Sequence, residues 1–338
     1  MRFNVIIGNP PYQRENNKAS DNGKNPVYKA AYCEFIERAL EMKPTLITMI
    51  VPAKWYADKQ TSLARLRHML KDEGHLENLI DYKSSADCFP NVRIVGGVCY
   101  FLYNKEYLGD CNIMNMTQNS CCSLKRDIVR EEYIIRDNIG IQILEKIKSK
   151  TVDFMDSYVE ASFFDIPSNE KGSTSQNDKV DEPDYEILSS ENNSMCIKYI
   201  SRDSVLRNRT IADKEYKLIV GKLLAGGGDH PVDKNGQMKI LSGIYKVNPN
   251  QVFISNYLMV MHSENMSKII NCEQYIKTKF VRFLLYLGIA GLNITADSFR
   301  YVPMQTFDMA YDDQMLYYKY ELTCDEIKFV ENFIKGIE

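Results

Sequence analysis

Four apolar, strand-like runs lie in the first hundred residues, at 3–8, 45–52, 75–82 and 94–103. The run at 3–8 is apolar on both faces, which predicts a fully buried strand of a parallel sheet. Apolar positions between the runs follow the spacing of amphipathic helices. The first helix begins near Pro26, and its apolar face comprises Tyr28, Ala31, Phe35, Ala39 and Met42. The second carries Leu63, Leu66 and Leu70. This alternation of strands and helices predicts an α/β fold.

The pattern of apolar and polar positions changes after residue 107. A helix is predicted within 131–150, a β-hairpin that turns at 191–194, and helical segments at 274–288 and 323–337. Residues 168–183 are polar and rich in turn-forming types, which predicts a flexible loop. We therefore expect two domains, 1–107 and 108–338, the second of α+β type.

The net charge, the cysteines and the lengths of the apolar runs limit the classes of protein to which the chain can belong. The 338 residues carry a net charge of −3, and eight acidic residues against three lysines fall within 305–338. A local basic cleft for nucleic acid is compatible with this balance. Nine cysteines without any C-x-x-C pair indicate reduced thiols and a cytoplasmic protein, and no metal site is expected. No apolar run reaches the roughly 18 residues of a membrane-spanning helix.

The tetrapeptide Asn9-Pro10-Pro11-Tyr12 directly follows the first apolar run. An adenine amino nitrogen is a poor nucleophile, and its attack on a methyl group requires acceptors that hold both amino protons. The Asn9 amide oxygen and the Pro10 carbonyl are such acceptors, and the two prolines fix φ and so preorganise them. Tyr12 can lie flat against the base. The position after a strand of an open α/β sheet is where ligands bind.

Three segments resemble the adenine-specific DNA methyltransferases of restriction–modification systems, with the type IIG-like methylases as the nearest group. They are "FNVIIGNPPYQ", "TLITMIVPAKWY" and "LIDYKSSADCFPNVRIVGGVCYFLY". The resemblance is strong over residues 3–103 and returns from about Tyr216 to the end, as in a target-recognition region. It implies the carboxyl half of a Rossmann-like methyltransferase sheet, and N6-methylation of a flipped adenine with S-adenosylmethionine as the cofactor.

The same resemblance assigns roles to residues. Asn9, Pro10, Pro11 and Tyr12 take the places of the catalytic motif, and Asn9 also contacts the cofactor. Phe89 falls where the family has a second aromatic side chain that packs on the flipped base. The family's glycine-rich cofactor loop precedes this motif, and only eight residues precede it here. We therefore expect a missing or separate cofactor-binding half, and the 3–8 strand as an exposed apolar edge.

Basic residues suggest where DNA phosphates bind. Lys198, Arg202, Arg207 and Arg209 form the densest basic stretch, and Lys279, Arg282 and Arg300 lie in the family-like carboxyl region. A solvated surface explains the first group equally well. The expected partners are double-stranded DNA, an amino-terminal methyltransferase piece or a restriction endonuclease subunit, and no membrane.

Two alternatives remain open from the sequence. The chain can be a catalytically silent DNA-binding or specificity subunit, or a remnant fragment, because the cofactor loop is missing. It can also act on a protein glutamine, whose planar amide nitrogen an N-P-P-Y loop also holds. The roughly 230 residues after 94–103 fit a DNA-recognition region better than this second alternative.

Overall fold

The computed structural model describes residues 3–15, 28–92, 94, 96–117, 121–167, 185–191, 194–223, 237–241, 243–289 and 293–337. The chain divides into two compact units, Met1–Gln142 and Ile143–Glu338. The loop predicted at 168–183 lies outside the described residues.

The first unit contains eight strands and the helices that connect them. The strands are β1 (Val5–Gly8), β2 (Gln13–Glu15), β3 (Tyr28–Ala30), β4 (Leu46–Pro52), β5 (Leu76–Tyr82), β6 (Val98–Asn104), β7 (Cys111–Met116) and β8 (Cys121–Arg126). The helices are α1 (Ala31–Glu41), α2 (Thr61–Lys71) and α3 (Asn138–Lys150), which begins in this unit. Short 3₁₀ turns cover Ala53–Tyr56, Ser85–Asp87 and Ile128–Arg130.

Six of these strands form one mixed sheet in the order β1-β4-β6-β5-β7-β8. The pairs β1–β4 and β5–β7 are parallel. Strand β6 runs antiparallel between β4 and β5. Because α1 and α2 carry the chain back across the sheet, β1, β4 and β5 end on the same edge, and the start of β6 lies there as well. The predicted α/β class of this unit is confirmed, with a sheet that mixes parallel and antiparallel pairs.

Strand β1 is the first strand in that order, and its burial differs from the simple prediction. Its Val5 is 48% exposed and its Ile7 is 78% exposed. The prediction of a strand buried on both faces is therefore wrong, because β4 is the strand that pairs with it in the described part of the chain. The apolar edge that the family resemblance implies is present.

The first unit extends beyond the domain boundary predicted at residue 107. Strands β7 and β8 continue the sheet to Arg126, and the unit ends at Gln142. The pattern of apolar and polar positions changes shortly after the end of β6. The sheet itself continues through two further strands.

The second unit begins within α3 and mixes short strands with helices. Its strands are β9 (Glu160–Ala161), β10 (Tyr185–Glu191), β11 (Ser194–Ile200), β12 (Tyr216–Gly221), β13 (Ile244–Val247), β14 (Gln251–Phe253) and β15 (Tyr257–Ser263). Its further helices are α4 (Arg209–Lys214), α5 (Met266–Lys277), α6 (Lys279–Gly288), α7 (Asp313–Lys319) and α8 (Cys324–Phe333). Short 3₁₀ turns cover Met155–Ser157, Arg202–Ser204 and Ala296–Phe299.

Two sheets organise the second unit, with the orders β11-β10-β14 and β13-β12-β15-β9. Strands β10 and β11 pair antiparallel with Glu191 opposite Ser194, which confirms the predicted hairpin. The helical segment predicted at 274–288 is divided between α5 and α6, because the Thr278 side chain accepts a hydrogen bond from the Val281 amide and caps a new helix. The α+β character predicted for this region is confirmed.

The buried face of α1 is displaced from the predicted one. Tyr32, Cys33, Ile36 and Ala39 pack into the core of the first unit. Phe35, which the periodicity placed on the buried face, is 50% exposed. The helix begins at Ala31, after β3, and the predicted start near Pro26 is therefore wrong. Ala31 and Ala39 of the predicted face are buried.

Replacing both Val5 and Ile7 with lysine is expected to leave the free energy of unfolding within about 0.5 kcal/mol of the wild type, since both side chains are largely exposed. The same change should lower association of the chain through this edge, because charges oppose strand pairing. Light scattering measures association, and the fluorescence of the single tryptophan, Trp55, follows unfolding.

Ile47→Lys on β4 is the matched control and should unfold the unit, because this side chain is fully buried. A monodisperse wild-type monomer at tens of micromolar would contradict the expectation that β1 is an open edge, as would unfolding of the Val5, Ile7 variant.

Candidate functional site

The Asn9–Tyr12 segment follows β1 at the edge of the sheet where the parallel strands end. Asn9 and Pro11 are exposed, Pro10 is buried and Tyr12 is half-buried. Within the described part of the chain, the Asn9 carboxamide has no hydrogen-bonding partner. Its amide oxygen is thus available to accept a hydrogen bond from a ligand, and the catalytic role of Asn9 stays a prediction.

A small hairpin fixes the carboxyl end of this segment. Strand β2 begins at Gln13 and pairs antiparallel with β3, with Gln13 opposite Ala30. The Ala31 amide, the first of α1, donates to the Tyr12 carbonyl oxygen over 3.2 Å. The segment is therefore held by β1 on one side and by this hairpin on the other. Two proline φ angles add to this rigidity.

A cavity of about 390 Å³ opens beside Tyr12. It is lined by Tyr12, Gln13, Lys29, Ala30, Tyr32, Pro52, Lys54, Gln60, Leu63 and Ile94. Pro52 ends β4, and Ile94 precedes β6, so the cavity lies at the carboxyl ends of the parallel strands. Its volume is near the lower end of the roughly 300–1,000 Å³ typical of small-molecule sites. The position is the one expected for a ligand of an open α/β sheet.

The Tyr12 ring combines an apolar face with a shielded hydroxyl. Burial raises the pKa of Tyr12, and the nearby thiols of Cys88 and Cys99 raise the pKa further. The hydroxyls of Tyr12 and Tyr32 are buried without a hydrogen-bond partner among the described residues. The phenol of Tyr12 therefore stays neutral, which suits stacking against an uncharged base.

Phe89 lies in the loop that joins β5 to β6 and is half-buried. It is not among the residues that line the cavity. The preceding residue, Cys88, is close enough to Tyr12 to raise the pKa of the phenol. Ile94 of the same loop lines the cavity together with Tyr12, and the stacking role of Phe89 stays a prediction.

The loop that carries Phe89 is folded around one serine. Ser85 is buried, and its hydroxyl donates to the Val92 carbonyl oxygen over 2.9 Å. The Ile94 amide donates to the Ser85 hydroxyl oxygen, also over 2.9 Å. Gly97 closes the loop with a φ of +73°, and an added Cβ would lie 2.2 Å from the Tyr82 carbonyl oxygen. Glycine is required there on both grounds.

Arg136 holds the base of this loop and was not predicted from the sequence. Its guanidinium donates to the Asp81 carboxylate over 2.6 Å, to the Gly96 carbonyl oxygen over 2.7 Å and to the Tyr82 carbonyl oxygen over 2.9 Å. Asp81 is 1% exposed at the end of β5. Burial raises the pKa of Asp81, and the Arg136 guanidinium opposes this shift. Arg136 thus contacts both the end of β5 and the residue two positions before β6.

The first group of predicted DNA-binding residues lies around β11 and α4. Arg202 forms an ion pair with Asp213 and covers the Tyr185 ring at 4.6 Å. Arg209 donates to the Val205 and Asp203 carbonyl oxygens. Lys198 is half-buried and Arg207 is exposed. Phosphate contact by these four residues stays a prediction.

The second predicted group is embedded in the carboxyl-terminal helices. Lys279 pairs with Glu331 at 2.6 Å, and Arg300 with Asp297 at 3.2 Å. Arg282 is 2% exposed and donates to the carbonyl oxygens of Lys277, Thr278 and Lys335. These contacts stabilise the helices, and a phosphate would have to compete with them. Their role in binding DNA is likewise untested.

No group of three His, Cys, Asp or Glu side chains that could hold a metal ion lies among the described residues. None of the described helices is long and apolar enough to cross a membrane.

Comparison with known proteins links the amino-terminal unit to one family. Residues 1–89 match the model of the Eco57I restriction-modification methylase family. A curated protein of Mycoplasma pneumoniae (strain ATCC 29342 / M129 / Subtype 1), described as an uncharacterized adenine-specific methylase, is 40% identical over 110 residues. The aligned part is 32% of this chain and 25% of that protein, so the chain spans about a quarter of its relative.

Solved structures similar to this chain include two restriction–modification enzymes. The type IIG restriction endonuclease BpuSI aligns with 97% of this chain and 49% of its own, at 11% identity and a TM-score of 0.41. The type IIL enzyme MmeI, solved in complex with DNA, aligns with 79% of this chain and 42% of its own, at 11% identity and a TM-score of 0.35.

The family match covers the segment that contains Asn9–Tyr12, and the relative described as an adenine-specific methylase is 40% identical over 110 residues. They confirm the resemblance inferred from that motif. Residues 1–89 of this chain are thus similar to the Eco57I restriction-modification methylase family.

Proposed function

We propose that the chain methylates the N6 amino group of a target adenine in double-stranded DNA and that Asn9–Tyr12 grips this base. The observation that supports this most strongly is an unpartnered Asn9 carboxamide on a rigid segment beside a cavity at the carboxyl edge of the sheet. A duplex hides the amino group within a base pair, so the adenine must leave the stack to reach this segment.

The chemistry assigned to the segment is the holding of two amino protons. The Asn9 amide oxygen accepts a hydrogen bond from one N–H of the amino group, and the Pro10 backbone carbonyl oxygen accepts a hydrogen bond from the other. Both acceptors favour the geometry in which the nitrogen lone pair leaves the ring and becomes available for attack. Because the prolines fix the backbone before the base arrives, little reorganisation is needed during the reaction. No covalent bond between protein and DNA is required.

The described residues that line the cavity are better suited to holding the adenine than to holding the whole cofactor. Methyltransferases generally use S-adenosylmethionine, which supplies the methyl group when bound. None of the described side chains that line the cavity is a carboxylate that could hold its ribose hydroxyls. Asn9 is the residue that would lie next to the bound cofactor.

The proposal is tested by mapping N6-methyladenine in the genome of the source cells with and without this gene. We expect one sequence motif to lose methylation when the gene is deleted and to regain it when the wild-type gene is restored. Unchanged methylation at every motif after deletion would contradict the function. The motif found in this way provides the target duplex for experiments in vitro.

Tyr12→Ala and Phe89→Ala are each expected to weaken capture of the flipped base by about 1–3 kcal/mol, if both rings stack on it. The fluorescence of 2-aminopurine at the target position reports capture, because the analogue brightens when it leaves the stack and dims when an aromatic ring covers it. Phe35→Ala is the control, since Phe35 is half exposed on the surface of α1. Unchanged fluorescence in both variants would mean that the two aromatic rings only stabilise the fold.

A further inference from the structure

A short segment before α4 presents an apolar side chain and an arginine to solvent. Leu206 is 82% exposed, and the adjacent Arg207 is exposed as well. The preceding residue, Val205, is fully buried. We call residues 205–209 the Leu206 tip. Single exposed leucines are common on protein surfaces, so the case for a function rests on how this tip is held and charged.

Both ends of the Leu206 tip are fixed by hydrogen bonds. The Val205 amide donates to the Arg202 carbonyl oxygen over 3.2 Å. Asn208 adopts a left-handed conformation with a φ of 55°, and its side-chain amide donates to the Phe163 carbonyl oxygen over 2.8 Å. Phe163 belongs to the core of this unit. The tip is therefore a preorganised projection, which lowers the entropic cost of inserting it into a partner.

The arginines of this region differ in what they contact. Arg202 is paired with Asp213, and Arg209 donates to the carbonyl oxygens of Val205 and Asp203. Arg207 has neither an ion pair nor a hydrogen bond within the described part of the chain. Two arginines thus shape the tip, while the third directs a positive charge outward beside Leu206.

We propose that the Leu206 tip inserts into duplex DNA, with Leu206 as a wedge between adjacent bases and Arg207 on a neighbouring phosphate. The choice of DNA as the partner rests on the proposed function. An apolar side chain beside a cation matches a base step flanked by phosphates, since wedge side chains of this type unstack base pairs. A protein partner would need a larger apolar patch than one leucine for a stable interface.

The two side chains should have separable effects on binding. Unstacking is easier at a mismatch, so a wedge favours a mismatched duplex over a fully paired one. Leu206→Ala should reduce this preference about tenfold, which corresponds to 1.4 kcal/mol. Arg207→Gln should weaken binding to both duplexes equally and reduce the slope of log K against log salt by about 1. Arg207→Lys should restore that slope.

The experiment uses the full chain and fluorescence anisotropy with two labelled duplexes of identical sequence, one of which has a single mismatch. Leu108→Ala and Arg130→Gln are matched controls, since Leu108 is 75% exposed and the Arg130 side chain is 89% exposed in the other unit. Neither control should change affinity, preference or salt slope. An unchanged mismatch preference in Leu206→Ala would overturn the wedge, and an unchanged salt slope in Arg207→Gln would overturn the phosphate contact.

Failure of this proposal is distinguishable from failure of the proposed function. If deletion of the gene abolishes methylation and Leu206→Ala binds both duplexes as the wild type does, only the insertion is wrong. If Leu206→Ala loses the mismatch preference while genomic methylation does not depend on the gene, the insertion stands without the methyltransferase activity. Absence of any duplex binding by the wild-type chain would overturn the insertion itself.

Discussion

Asn9→Ala is expected to lower the rate of methylation of the target adenine by about 100-fold or more, the usual effect of removing one preorganised electrostatic group from an active site. Asn9 is exposed and makes no hydrogen bond within the described residues, so its removal should not destabilise the fold. The amide oxygen acts on the amino protons in the transition state, and the loss therefore falls on turnover rather than on duplex binding.

The rate is measured in the active assembly with the target duplex, under single-turnover conditions, and duplex affinity by anisotropy. Asn4→Ala is the matched control, because Asn4 is an exposed asparagine at the opposite end of β1. It should methylate at the wild-type rate. Methylation by Asn9→Ala within about threefold of the wild type, a difference below 1 kcal/mol, would remove Asn9 from the mechanism.

Arg136→Met is expected to destabilise the first unit by about 3–5 kcal/mol, because it leaves the buried Asp81 carboxylate without the guanidinium that lies 2.6 Å away. It also removes the donors to the carbonyl oxygens of Gly96 and Tyr82. The free energy of unfolding is measured by urea denaturation, followed through the fluorescence of Trp55, which is fully buried in this unit.

The loss of stability caused by Arg136→Met should be smaller at low pH than at neutral pH. Burial raises the pKa of Asp81 above its usual 3.8, and loss of the guanidinium raises that pKa further. A carboxyl with a raised pKa binds its proton more readily in the folded state, so the variant is least impaired near pH 4. The full loss of stability returns as the pH rises through the pKa of Asp81 in the folded variant.

Two comparisons test the origin of this effect. Asp81→Asn combined with Arg136→Met should recover part of the lost stability, because no buried charge then lacks a partner. Arg130→Met should change stability by about 0.5 kcal/mol or less, since the Arg130–Asp127 ion pair is exposed. An Arg136→Met deficit as small as that of Arg130→Met would show that the buried pair does not stabilise the loop.

Local patterns in the sequence predicted the elements that build the site. The strands at 45–52 and 75–82 are β4 and β5, and the helix with Leu63, Leu66 and Leu70 is α2. The N-P-P-Y tetrapeptide lies after β1, at the edge of the sheet where the parallel strands end. These features depend on apolar periodicity and on turn-forming residues that lie close together in the sequence. They can therefore be predicted from a single sequence.

Features that depend on distant residues were missed. Arg136 and Asp81 are far apart in the sequence, and nothing near either residue indicates that they pair. The burial of Arg282 has the same cause, since Lys335, whose carbonyl oxygen it reaches, belongs to the carboxyl-terminal segment. The exposure of Ile7 follows from the place of β1 at the edge of the sheet, because apolar periodicity alone does not distinguish central strands from edge strands.

The central claim is that the target adenine lies against the Asn9–Tyr12 segment. It is tested most directly by photocrosslinking with a target duplex in which 8-azidoadenine replaces the methylated adenine, followed by mass spectrometry of the crosslinked peptide. The account predicts an adduct on Tyr12 or on the loop that carries Phe89, and no adduct there when the azide is placed two base pairs away. An adduct confined to the second unit, with Tyr12 and its loop unmodified, would contradict it.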